Sequence, residues 1–122
     1  DPAPVSASPL ELRSVRFVGK GNGLELHSGE LAKVVVEVYN NTPEYMYNVK
    51  PMVMETSGNK HVFVSAPIIV EKIAPGKGIR YTAMVKADKK LKDGKVHFTV
   101  CAQESAQLRK SEIREFDVTT IR

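Results

Sequence analysis

The sequence predicts an all-β domain, an antiparallel β-sandwich of seven to eight strands, on three observations. Apolar residues recur at every second position: Ala32, Val34, Val36 and Val38 alternate with Lys33, Val35, Glu37 and Tyr39, and Val96, Phe98, Val100 and Ala102 alternate with His97, Thr99, Cys101 and Gln103. Successive strand side chains point to opposite faces, so each segment offers one apolar row to a core and a more polar row to the other side. Clusters of Gly, Pro and Asn separate the apolar segments, which is the punctuation of a many-stranded sandwich. No long segment carries a helical period.

In chain order, Leu10, Leu12, Val15 and Phe17 give a first strand over about 10–18, with a phase slip between Leu12 and Val15 that requires a bulge or bend. The glycines of residues 19–23 form a turn, and residues 24–27 a short strand before Ser28-Gly29. A long strand over 31–40 stops at Asn40-Asn41-Thr42-Pro43, where proline and two Asx residues disfavour pairing. Residues 45–55 read as the next strand, with a bend, bulge or partial edge expected at Pro51, near which the phase changes from Tyr45, Tyr47 and Val49 to Met52 and Met54. After the turn Ser57-Gly58-Asn59 come strands over 60–64 and about 68–71, then the breaker Ala74-Pro75-Gly76. Ile79, Tyr81, Ala83 and Val85 alternate in the next strand, Asp93-Gly94 introduces the strand over 95–103, and residues 104–110 lead to a last strand over 111–121 with Phe116 and Val118 inward. Leu108 to Glu115 reads briefly as helix, but the following FDVTTI is rich in β-branched residues and restores strand. The expected core rows are Val34/Val36/Val38, Tyr81/Ala83/Val85 and Phe98/Val100.

A chain of 122 residues with 42% hydrophobic content fits one domain. Its longest apolar runs, Val34 to Val36 and Ala66 to Val70, fall far short of the roughly 20 residues a membrane helix needs. Residues 1–9 contain three prolines among small residues and read as an extended tether, leaving 10–122 as the sandwich domain. A first residue other than Met is expected of a chain trimmed either in the cell or by cloning, and such a tether suits the segment behind an export signal or a lipid-anchor cysteine; periplasm or cell surface is the expected location. With Cys101 alone, no internal disulfide staples the core. The net charge of +4 owes much to Lys86, Lys89, Lys90, Lys92 and Lys95, which surround Asp88 and Asp93 in a predicted loop. That pattern reads as a solvated hairpin tip rather than a nucleic-acid site, since no aromatic residues interleave for base stacking.

Four pieces of turn chemistry then combine. Gly21-Asn22-Gly23-Leu24-Glu25 is followed by Ser28-Gly29-Glu30, a valine-rich strand closing on Asn40-Asn41, and Ile73-Ala74-Pro75-Gly76 before another strand. In this order, over about residues 10–119, the chain resembles immunoglobulin-like domains of the CARDB type, the cell-adhesion-related domain of bacteria. The resemblance implies an immunoglobulin-like antiparallel β-sandwich and a noncatalytic module, of a kind commonly repeated or appended in larger exported and surface proteins. The chain departs from the family at Asn41-Thr42-Pro43, where a glycine-containing turn is common, and holds one copy. No family binding residue carries over.

Candidate chemistry is sparse. Cys101 and His97 share a strand face, but four residues of strand separate them by roughly 13 Å, too far for a thiolate-imidazole pair. His27, His61, His97, Cys101 and four methionines invite a copper reading, yet residues 102–122 contain neither the histidine nor the methionine that normally follows a blue-copper cysteine. Glu25 and Glu30 flank a glycine-bearing loop without the Asp series of a calcium site. Gly19, Gly21 and Gly23 precede no helix N-terminus and so form no phosphate loop. Tyr45, Met46, Tyr47, Met52, Met54 and Met84 are the expected partner-contact residues, because alternation should bring some of them to a face away from the core, where aromatic and methionine side chains adapt to a partner.

The reading is therefore a noncatalytic protein-interaction or adhesion-related module of an exported bacterial protein. A structural accessory domain of a larger envelope assembly and a periplasmic metal-binding protein are the alternatives. No cofactor is expected; the partner is a protein or surface glycan, with no nucleic acid and no membrane span.

Overall fold

The computed structural model describes residues 9–21, 23–105 and 109–122, the Arg109 side chain excepted. Ten strands follow in order: β1 Leu10–Val18, β2 Glu25–His27, β3 Leu31–Asn40, β4 Met46–Glu55, β5 Val62–Val64, β6 Val70–Ile73, β7 Gly78–Ala87, β8 Gly94–Glu104, β9 Arg109–Lys110 and β10 Arg114–Ile121. The count exceeds seven or eight because the short β2, β5 and β6, each expected in chain order, are counted beside the long strands, and because β9, two residues long, forms in the segment expected to be a connection. Most of the predicted tether lies outside the described residues.

Two sheets form. Sheet A runs β1-β3-β7-β5, and sheet B runs β2-β10-β8-β4-β6 with β9 pairing on β8. All pairings are antiparallel except β2 with β10. Between β4 and β7 the chain visits both sheets, pairing with β7 as β5 and then returning to flank β4 as β6. The predicted phase slip in β1 is a register shift between Leu12 and Ser14. It turns Leu10 and Leu12, then Val15 and Phe17, toward the interior, the first two fully buried and the second two packed on the rim of the core.

The alternating rows meet between the sheets. Val34, Val36 and Val38 of β3 and Tyr81, Ala83 and Val85 of β7 are buried against Phe98 and Val100 of β8 and Val118 of β10. Phe98 has no exposed surface and lies between two rings, Phe17 at 6.4 Å and Phe116 at 5.4 Å.

The phase change in β4 occurs at Asn48 rather than near Pro51. Asn48 has φ of 57°, the left-handed region that Asn tolerates better than most residues. The β4–β6 register passes from Tyr47 to Val49 without it. Before this residue Met46 points inward; after it Val49, Pro51 and Val53 do. Pro51 pairs with Ala102 on β8, and the paired register with β6 ends at Val49, so proline occupies the partial edge expected of it.

Polar side chains that enter the core are matched. Among the described residues, every buried side-chain N or O atom has a hydrogen-bond partner. The Asn40 amide donates to the carbonyls of Glu44 (2.7 Å), Ile73 (2.9 Å) and Ala74 (3.3 Å), while its Oδ1 accepts from the Thr42 N–H (2.9 Å) and hydroxyl (2.6 Å). Ser111 accepts the Ala102 N–H, and Thr120 donates to the Lys92 carbonyl.

Candidate interaction surface

The alternation that builds the core leaves the opposite face of sheet B outside. On β4 that face carries Tyr47, Lys50, Met52 and Met54, since Val49, Pro51 and Val53 are the inward residues. Register sets Met52 against Cys101, Met54 against Thr99 and Lys50 against Gln103. Tyr45 precedes the strand and stacks on Tyr47, with ring centroids 6.2 Å apart and planes inclined by 21°. Lys72 of β6, the cross-strand partner of Tyr47, sets its ammonium 5.7 Å from the Tyr45 ring centre. Tyr45, Tyr47 and Met54 are each exposed, and Met52 is half-buried.

Two of the six expected contact residues do not belong to this face. Met46 is fully buried and is a core residue, because the left-handed Asn48 separates the inward positions Met46 and Val49 by three residues instead of two. Met84 is exposed, but it lies on β7 in the other sheet, opposite Lys33. The remaining four form one contiguous set along the start and outer face of β4.

The sites with chemical potential resolve into structural roles. Cys101 is half-buried; burial pushes its thiol above the ordinary value, opposed by the charge of Lys110. A thiol held protonated is a poor nucleophile. His97 sits between Asp117, 2.7 Å from Nδ1, and Glu115, 2.7 Å from Nε2. The hydrogen bond to Asp117 first, and that to Glu115 next, raise its pKa above the ordinary imidazole value. His61 engages Asp88 at 2.9 Å and His27 engages Glu30 at 3.3 Å. Each histidine thus has its own carboxylate partner, and among the described residues no group of three or more His, Cys, Asp or Glu is arranged to hold a metal ion.

Glu30 turns inward instead of toward a cation. Its carboxylate accepts the N–H groups of His27 (2.7 Å) and Lys20 (2.5 Å). Desolvation raises its pKa, but the hydrogen bonds from the His27 and Lys20 backbone outweigh it and leave the group below the ordinary carboxylate value. The lysine-rich tip is pinned by buried Leu91, while Lys86, Lys89, Lys90, Lys92 and Lys95 are exposed. Its acids serve the loop: Asp88 accepts the Lys90 N–H and Asp93 that of Arg122. His61, Lys89, Lys90, Lys92 and Arg122 line one basic concavity, a convergence that sequence order does not announce.

No family model matches the sequence, and no curated protein matches it. Solved structures do. A CARDB domain from Pyrococcus furiosus matches with a TM-score of 0.62 at 14% identity, covering 96% of this chain and 98% of that one. Trypsin-activated alpha-2-macroglobulin from Escherichia coli matches with a TM-score of 0.63 at 12% identity over 94% of this chain, which spans only 7% of that protein. AvmM, which catalyzes macrocyclization in alchivemycin A biosynthesis, matches with a TM-score of 0.58 at 5% identity over 92% of this chain and 91% of that one. Identities this low define the fold alone: this chain has the CARDB-like, immunoglobulin-like β-sandwich fold. That fold is consistent with a noncatalytic module, and AvmM shows that it also supports an enzyme.

Proposed function

We propose that this domain is a noncatalytic protein-interaction module of an exported bacterial protein, and that it meets its partner through Tyr45, Tyr47, Met52 and Met54 on sheet B. The observation that carries the reading is the stacked, exposed tyrosine pair continuing into two methionines along one strand. Tyrosines give large rigid contact area at little entropic cost, and unbranched methionines fit irregular surfaces. The proline-rich residues 1–9 and the CARDB resemblance support export and an adhesion-related role. The alpha-2-macroglobulin match supports a second reading, a structural accessory domain within a larger envelope assembly, because there the fold is a small part of a long chain.

The test immobilises the domain, passes envelope extract over it and identifies retained proteins by mass spectrometry, followed by affinity measurement with the purified partner. Tyr47→Ala and Met54→Ala should each weaken binding about tenfold, as expected for hot-spot residues. Unchanged affinity in both variants refutes this face. A constitutive, stoichiometric complex favours the accessory reading, and retention on a glycan array without protein capture moves the partner class to surface glycans.

A further inference from the structure

β1 is, with the short β5, one of the two outer strands of sheet A. β3 pairs along one side of it, and the other side borders the gap between the sheets, where its two halves are treated differently. The first half is closed. Leu12 donates its N–H to Glu112 at 3.3 Å and accepts from the Arg114 guanidinium at 2.9 Å, and Leu10 forms a bridge with Ser111. The second half is open. Stepped by the bulge, the alternation gives Val15 and Phe17 the orientation of Leu10 and Leu12, with side chains inward and peptide groups toward the outer side. Among the described residues, nothing beyond β3 hydrogen-bonds to the main chain of residues 15–18.

Beside this open stretch the surface is concave, lined by apolar side chains together with Arg16, Arg114 and Glu115. One hollow of about 420 Å³ follows residues 15–18 and the glycine-bearing turn to Leu24. A second, of about 240 Å³, shares Val15, Phe17 and Leu24 and reaches Arg114, Glu115 and Phe116. Val18 and Leu24, which line the first hollow, expose 42% and 47% of their surface. Arg16, between the two inward residues, faces outward and has no ion-pair partner among the described residues.

We propose that the open half of β1 receives an extended segment of a partner protein, which adds a strand to sheet A and alternates apolar with acidic residues. Three features select that occupant. Outward N–H and C=O groups repeating every second residue match an extended backbone. The hollow against Phe17, Leu24 and Phe116 takes an apolar side chain at alternate positions. A carboxylate between them lies beside Arg16, where a cross-strand ion pair is favourable. The protein caps the first half of the same strand with its own chain, and the second half offers the same outward groups to another chain. This inference rests on the interaction-module reading but places a contact on the other sheet.

The test has two arms. Hydrogen exchange followed by NMR should find the Val15 and Phe17 amides exchanging at least about a hundredfold faster than those of Val34 and Val36 in the free domain, the mark of an unpaired edge. A phage-displayed library of linear twelve-residue peptides is then selected on the domain, and the enriched sequences are synthesised. They should alternate apolar and acidic residues, slow exchange at Val15 and Phe17 at least tenfold, and lose at least tenfold in affinity with Arg16→Glu or Leu24→Lys. Both substitutions are at exposed positions, and melting by circular dichroism verifies that the variants fold. Tyr47→Ala should leave peptide affinity unchanged. Amides already protected in the free domain, absence of enrichment, or self-association through β1 would each overturn the proposal. Peptides whose binding is lost with Tyr47→Ala would overturn it too, while leaving the sheet B reading standing.

Discussion

Replacing Asn40 by Ala tests whether the sandwich depends on a polar group at the end of β3. Asn can offer two donors and two acceptor lone pairs, and this side chain uses that capacity fully on the Glu44, Ile73 and Ala74 carbonyls and on the N–H and hydroxyl of Thr42. The bond to Ile73 is buried, so its carbonyl loses a donor where water enters poorly, at a cost of about 1 to 3 kcal/mol. The other bonds are part-buried; water replaces part of each, and together they add about 1 to 2 kcal/mol. Asn40→Ala should therefore cost about 3 kcal/mol, a large share of the 5 to 15 kcal/mol typical of a domain. Urea unfolding followed by circular dichroism reads this as a lower midpoint at unchanged slope. Asn41→Ala is the control: Asn41 is exposed and bonds to Glu11, and its loss should cost below about 1 kcal/mol. A loss under about 1 kcal/mol for Asn40→Ala, or equal losses for both, would refute the reasoning.

Phe98→Ala removes a ring held between two others and should cost roughly 3 to 5 kcal/mol in the same urea experiment; unchanged stability would contradict the packing. The raised pKa of His97 means that the folded state favours the protonated ring. Its stabilisation is complete below the ordinary pKa of 6.5 and disappears as pH rises through the higher folded value. An NMR titration should place the His97 midpoint above 6.5, moving downward in Asp117→Asn and, because the group is exposed, in high salt; a midpoint at or below 6.5 refutes the clamp. Cys101, raised by burial, should react with a thiol reagent at neutral pH markedly more slowly in the folded domain than in urea, and equal rates would count against its burial.

The fold was legible where one physical signal was long and uninterrupted. β3, β7 and β8 carry strict alternation over ten or eleven residues, and a slip of one position would turn every core-facing valine outward, so sequence determines which face is inside. β4 was harder because its rule breaks midway. Nothing local demands that Asn48 be left-handed, though the step it makes resolves the contrast between exposed Tyr47 and buried Pro51. Ile68 and Ile69 looked like strand by composition, yet both are exposed in the crossing between sheets and the pairing begins at Val70. Four of the six expected contact residues share one outward side at the start and along the face of β4, because exposure follows phase. Met46 faces the core on the same phase, and Met84 is exposed but on the other sheet, because sequence does not say which sheet a strand joins. Asn40 was recognisable as a strand terminator, but its bond to Ile73 spans 33 residues of chain and leaves no local trace. The open half of β1 depends on where Ser111, Glu112 and Arg114 run, which is equally nonlocal.

β3 lies at the centre of sheet A, and a buried polar residue stands at each end. Glu30 precedes it and Asn40 closes it. Their chemistry is complementary to what each end presents. At the Glu30 end the incoming turns offer N–H donors from Lys20 and His27, which a carboxylate accepts; at the Asn40 end carbonyls converge from Glu44, Ile73 and Ala74, which an amide can donate to. Each side chain gathers turns that belong to different strands, so the loops at both ends of the sandwich are tied to one strand. The same saturation bears on function. A catalytic acid or base needs hydrogen-bonding capacity left for a substrate, and these groups are engaged with backbone. The histidines are likewise engaged, by carboxylates. Among the described residues, peptide groups without a protein partner are found instead at the periphery, along the open half of β1, and exposed aromatic and methionine surface on the outer face of β4. The proposed binding of another chain therefore rests on these two surfaces rather than on any group in the interior.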